Sequence, residues 1–251
     1  MELTREDRIL FLRSVFSNFA QIRVQGSENL PATGGAIVVC NHTDLSDGLI
    51  QLLYTARPLV FLAKSELFES GSRLTGGSLG LNIEDLLSRS EFFAQFPKDF
   101  LADTMSLAGQ FIKDVEAVPI IRSYRGGTRR ESAGYYRDLT QKILSRLKGG
   151  EVIAIYPEGK RSTDGKLLPF RGLAARLALA AGVPIVPCAL VGNRGLTNPL
   201  EWKKTGRTRT IIYYIGLPIE PSSFPEGHSK KAVKHLTESI QGRVKELLVQ
   251  S

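Results

Sequence analysis

Histidine, cysteine and tryptophan are scarce in this chain: three, two and one among 251 residues. Two cysteines cannot frame a disulfide scaffold. Cys40 and Cys188 each sit inside an apolar, strand-like run, so both read as buried free thiols of a reducing compartment. No Cys/His cluster has the spacing of a zinc site, and no metal is expected. No apolar run reaches roughly 18–20 residues, the length a membrane-spanning helix needs. The early charges Glu2, Arg5, Glu6, Asp7 and Arg8, with no small-residue cleavage site, make a secretory signal unexpected. Repeats, low-complexity tracts and Pro/Gly/Ser linkers are also missing, which leaves a single domain, 1–251, as the expectation.

What is present is a hydrophobic content of 42% with 23% charged residues, ordinary for a globular protein. Lys+Arg 33 against Asp+Glu 25 leaves a net charge of +8, which favours an anionic partner. Nucleic acid, anionic lipid headgroups and phosphorylated substrates all qualify. The basic residues form no recognisable nucleic-acid motif with interleaved aromatics, so no nucleic-acid partner is expected.

Apolar periodicity predicts an N-terminal amphipathic helix within 1–21, with Ile9, Leu12, Phe16 and Phe19 on one stripe and Phe11 and Val15 beside it. Such a face suits either a core or a membrane surface. Short strands follow in "IRVQG", "AIVVC", "PLVFLAK", "AVPIIR", "EVIAIYPEG", "VPIVPCALVG" and "TRTIIYYIG". Helices are expected over "DGLIQLLYT", "RESAGYYRDLTQKILSRLK", "GLAARLALAAG" and the final "SKKAVKHLTESIQGRVKELLVQ", and a helical insertion over about 70–115. This alternation predicts an α/β layered domain with a largely parallel or mixed central sheet flanked by helices. In such folds sites form where loops leave the carboxyl ends of strands.

Two polar segments stand at such ends. In "CNHTDLSD" the strand empties into Asn41 and His42, with Asp47 five residues on. Within one regular helix the two would not share a face. They can meet if His42 occupies the turn and Asp47 the first helical turn, where the dipole favours a carboxylate. Asp47 would then fix the imidazole tautomer and leave the other nitrogen to take a proton. A plain polar turn, with Asp44 or Ser46 as helix cap, fits the same residues. In "YPEGKRSTDGKLLPFRG", Lys160 and Arg161 suit a phosphate, and amides near the helix start at Gly172 could add donors. Glu158 there reads either as a salt-bridge partner of those cations or as an acceptor that holds the loop or a substrate. In "VPIIRSYRGGTRRES", Arg129 and Arg130 read as a solvated basic loop, while Arg122 follows apolar residues and suits an anion grip.

These segments, in order, resemble the blocks of the 1-acylglycerol-3-phosphate acyltransferase, or lysophospholipid acyltransferase, family. "NHTDLSD" resembles its NHx4D block, "VPIIRS" the second, "YPEGKRS" with "PFRGLA" the third, and "VPIVPCALVG" the fourth. Tyr156 and Lys160 stand where the family usually carries Phe and Thr. The resemblance implies that His42 is a general base and Asp47 its orienting partner. It also implies that Asn41, Arg122, Glu158, Gly159, Arg161 and Ser162 bind substrate. The implied reaction moves a fatty acyl chain from a thioester, acyl-CoA or acyl carrier protein, to the free hydroxyl of a lysophospholipid. No cofactor or metal is implied, and the chain would lie peripherally on an anionic membrane at its cytoplasmic side. Phe92, Phe93 and Phe96 could add apolar contact there, and Lys203-Lys204 and Lys230-Lys231 charge.

A competing hydrolase reading rests on "GGSLG", which places Ser78 in a G-x-S-x-G pattern. That pattern needs a buried strand before the serine and a helix after it, and "FESGSRLT" is a poor strand.

Overall fold

A computed structural model describes residues 4–17, 20–44, 46–64, 117–120, 128–196, 209–224 and 229–250. Arg122, Ser78, the segment 70–115, Phe19, Lys203 and Lys204 lie outside the described residues. Seven strands form one sheet: β1 (Ala20–Gln25), β2 (Ala36–Cys40), β3 (Leu59–Lys64), β4 (Ala117–Ile120), β5 (Val152–Ile155), β6 (Ile185–Val191) and β7 (Arg209–Ile215). Their order is β1-β7-β6-β2-β5-β3-β4, and only the β6–β7 pairing is antiparallel. The expected layered α/β domain with a mostly parallel sheet is therefore what the chain builds.

β2 and β5 are buried along their whole lengths, because helices cover both faces of the sheet. Alternate residues supply the two sides. Ala36, Val38 and Cys40 point into the core shared with α1 (Arg5–Ser17) and α2 (Ser46–Tyr54). Ile37 and Val39 point into the core under α3 (Arg129–Lys148), α4 (Leu173–Ala181) and α5 (Lys230–Leu248). In α1, Leu12 is buried and Ile9, Phe11 and Phe16 pack against the same core, so these side chains are turned toward protein. Leu10 stands on the exposed side. Among the described residues no helix is long and apolar enough to cross a membrane.

One sequence reading needs correction. Arg129 and Arg130 belong to the first turn of α3, not to a basic loop. The Thr128 hydroxyl accepts from the Glu131 N–H at 3.1 Å, while the Glu131 carboxylate accepts from the Thr128 N–H at 2.7 Å. This reciprocal capping box starts the helix at Arg129.

Topology positions the site. β2 lies between β5 and β6, with Val39 opposite Ile155 and Cys40 opposite Cys188. All three strands run the same way, so the residues that follow them emerge together at one edge of the sheet.

Candidate active site

His42 leaves the end of β2, and Asp47 occupies the first turn of α2. The His42 Nδ1 lies 2.7 Å from Asp47 Oδ2. Asp47 is wholly buried, whereas the His42 side chain keeps 20% of its surface exposed. The same Asp47 oxygen accepts backbone N–H groups from Thr43 at 2.8 Å and Asp44 at 3.1 Å. Its other oxygen accepts from the side-chain amide of Asn193, two residues past β6. Burial pushes the Asp47 carboxyl up, and the bonds from His42, Asp44 and Thr43 pull it back. With a carboxylate on Nδ1, the ring carries its proton there, and Nε2 is the nitrogen left to act as a base. An ordinary polar turn is also present: Asp44 Oδ1 accepts the Ser46 N–H at 2.9 Å, so turn and dyad coexist.

The segment after β5 supports this turn. Glu158 is buried, and its carboxylate accepts the His42 N–H at 2.6 Å and the Leu168 N–H at 2.8 Å. The His42 carbonyl accepts the Ser162 N–H at 2.8 Å. Of the two readings of Glu158, the geometry shows an acceptor that holds loop and histidine turn together. Burial raises its carboxyl, opposed by the two backbone bonds. Gly159, at φ +74°, makes the turn in which a Cβ would sit 2.9 Å from the Arg171 Nε.

The remaining expected substrate contacts divide. Asn41 is buried, and its amide clasps the backbone of Leu190 on β6, with bonds of 3.0 and 2.8 Å. The Ser162 hydroxyl donates to Asp164 at 3.0 Å, and the residue is buried. The side chains of Asn41, Glu158 and Ser162 thus join backbone and turns. Lys160 and Arg161 are exposed on the loop beside His42.

Three side chains escape a reading of the sequence. Asn193 is one. Tyr156 stacks on the imidazole of His42, with ring centroids 4.3 Å apart and planes 18° from parallel. Gln51 accepts the Tyr156 hydroxyl at 2.7 Å. Tyr156 opens the "YPEGKRS" segment after β5, but nothing local marks its stacking on His42, and no local pattern marks Asn193 after β6.

Cysteine chemistry does not fit. Cys40 and Cys188 are free and buried, and burial pushes the Cys188 thiol up to about 12 and that of Cys40 well above its ordinary value. Neither supplies a thiolate. Among the described residues no group of three His, Cys, Asp or Glu side chains could hold a metal ion.

The Acyltransferase family matches residues 21–76 and 95–191, more than half of the chain. The chain belongs to the Acyltransferase family. A relative from Bacillus subtilis, a 1-acyl-sn-glycerol-3-phosphate acyltransferase, is 25% identical over 94% of this chain and 92% of its own length. An uncharacterised protein of Mycobacterium leprae is 29% identical over 86% of this chain, which spans about half of that protein (49%). The crystal structure of the 1-acyl-sn-glycerophosphate acyltransferase of Thermotoga maritima superposes with a TM-score of 0.59. That alignment covers 97% of this chain and 79% of the other, at 24% identity, and shows a shared fold. This acyltransferase therefore carries the His42–Asp47 pair on the edge of its sheet that three parallel strands share.

Proposed function

We propose that this acyltransferase moves a fatty acyl chain from an acyl thioester to the free hydroxyl of 1-acyl-sn-glycerol-3-phosphate, giving phosphatidic acid. The observation that carries the reading is the His42–Asp47 pair: a tautomer-fixed imidazole whose Nε2 has no partner among the described residues. A free hydroxyl is too weak an acid to ionise first, so proton removal accompanies attack. His42 Nε2 takes the proton as the acceptor oxygen bonds to the thioester carbonyl carbon. The carbon–sulfur bond breaks, and the departing thiolate takes the proton back from the imidazolium. No acyl-enzyme forms, and the substrate is the nucleophile.

Support for a phosphorylated acceptor comes from the net charge of +8 and from the exposed Lys160 and Arg161 beside His42. The Bacillus subtilis relative carries the same acceptor in its name. The donor is acyl-CoA or acyl carrier protein, and the reaction needs no metal or cofactor. The protein works as a peripheral enzyme at the cytoplasmic face of an anionic membrane. The exposed Lys230 and Lys231 at the start of α5 add to the attraction.

The test is a panel of lysolipids and acyl donors with purified protein. Lysophosphatidic acid is expected to be the preferred acceptor. Preference for a neutral or zwitterionic lysolipid overturns the acceptor assignment.

A further inference from the structure

Asp47 and Gln51 lie four residues apart on α2 and so on one helix face. Both are almost fully buried. Asp47 holds the edge of the His42 ring through Nδ1. Gln51 reaches the same ring from its face, through Tyr156.

The chain of contacts is specific. The Tyr156 hydroxyl donates to Gln51 Oε1 at 2.7 Å, and Gln51 Nε2 donates to the Tyr213 oxygen at 3.3 Å. That oxygen lies 3.1 Å from the hydroxyl of Thr55, the residue just past α2. Tyr156 is thereby tied at its far end while its face lies 4.3 Å from the imidazole. A wall that only excluded water would need no phenol. A phenylalanine would fill that wall without needing a partner, whereas the hydrogen-bonded phenol also fixes where the ring lies.

We propose that Tyr156 is a positioning residue whose ring face stabilises the imidazolium formed when His42 takes the substrate proton, with Gln51 holding that face in place. A cation over an aromatic face is attracted by the ring quadrupole at separations up to about 6 Å. Donation to Gln51 leaves the Tyr156 oxygen richer in electrons, which strengthens that attraction. Tyr156 exchanges no proton itself, since burial pushes its phenol well above the ordinary value and keeps it a donor.

The other titratable groups near His42 are Asp44 and Asp47 on its own turn, Cys40 on β2, and Glu158 after β5. Lys160 and Arg161 stand on the adjoining loop. None of these changes when only the ring electrons of Tyr156 are altered.

The inference rests on His42 being the base. Its test replaces Tyr156 with phenylalanine and then with mono-, di- and trifluorophenylalanine, which keep the ring's shape and weaken its negative face. Across the series kcat is expected to fall stepwise and severalfold as the ring face weakens, with KM unchanged. Gln51→Leu should lower kcat in the native background and add nothing to Tyr156→Phe. A series flat in kcat overturns the proposal while leaving His42 as the base. Full transfer activity in His42→Ala removes the base assignment itself, whatever the series shows.

Discussion

Asn193 donates its side-chain amide to the one Asp47 oxygen that His42 does not touch. The two residues are 146 positions apart and meet because β6 and β2 are parallel neighbours. Asp47 thus has its ring-facing oxygen filled by the His42 turn and its other oxygen filled from β6. That arrangement leaves the carboxylate little freedom to rotate, and the imidazole inherits its orientation.

Removing that amide should loosen the dyad without touching substrate. Asn193→Ala is expected to lower kcat about tenfold with KM nearly unchanged. Losing a donor also raises the Asp47 carboxyl further, so the acid limb of the rate profile should move to higher pH. Steady-state kinetics from pH 5 to about 8 check both effects.

Asp47 should be costly to stability and necessary to activity. Its folded-state carboxyl is raised, whereas in the unfolded chain it titrates near about 3.9. The folded protein therefore binds more protons than the unfolded chain across that window, and stability falls as pH rises through it. Asp47→Asn is expected to flatten that slope, with kcat down about 10²–10⁴-fold. Glu158 is raised for the same reason and contributes a remaining slope of the same sign. Thermal melts from pH 4 to about 8, alongside assays, separate the two effects.

Glu158 carries a different prediction because both of its oxygens accept backbone N–H groups. In Glu158→Gln an NH₂ group must face one of those N–H donors. A stability loss of about 1–3 kcal/mol in denaturant unfolding is expected, together with reduced kcat. A substrate-only role would instead raise KM and leave stability intact.

Backbone geometry beside Asn193 offers a controlled comparison. Gly192 has φ +90°, and a Cβ there would lie 2.5 Å from the Thr210 carbonyl oxygen. Gly34 has φ +76° with nothing within 4 Å. Gly34→Ala should cost about 1–2 kcal/mol and spare activity. Gly192→Ala should cost more and lose activity as well, since it displaces Asn193. Unfolding curves and kcat for the pair decide it.

The sheet was legible because its strands are short, apolar and bounded by turn residues. "AIVVC", "EVIAI" and "VPIVPCALV" correspond to β2, β5 and β6 within a few residues. His42 and Asp47 were legible as a pair because five residues suffice to carry a turn into a helix. Asn193 and Gln51 were not, since each meets its partner only through strand pairing that no local pattern encodes. Glu158 was legible as an acceptor, but its inward direction depends on Leu168 and His42 approaching from two sides. The start of α3 is a different case. Thr128 and Glu131 have capping-box spacing, and the intervening arginines drew the reading toward a loop.

The central claim is that His42 activates the acceptor hydroxyl and that no acyl group passes through the protein. The most direct measurement incubates native protein and His42→Ala with a labelled acyl thioester, with and without lysophosphatidic acid. Lipid product and protein mass are followed together. The account predicts phosphatidic acid from the native protein, loss of at least about 10³-fold in His42→Ala, and no acylated protein in either. Retained transfer in His42→Ala, or an acylated protein competent to pass its chain to the lysolipid, would contradict it.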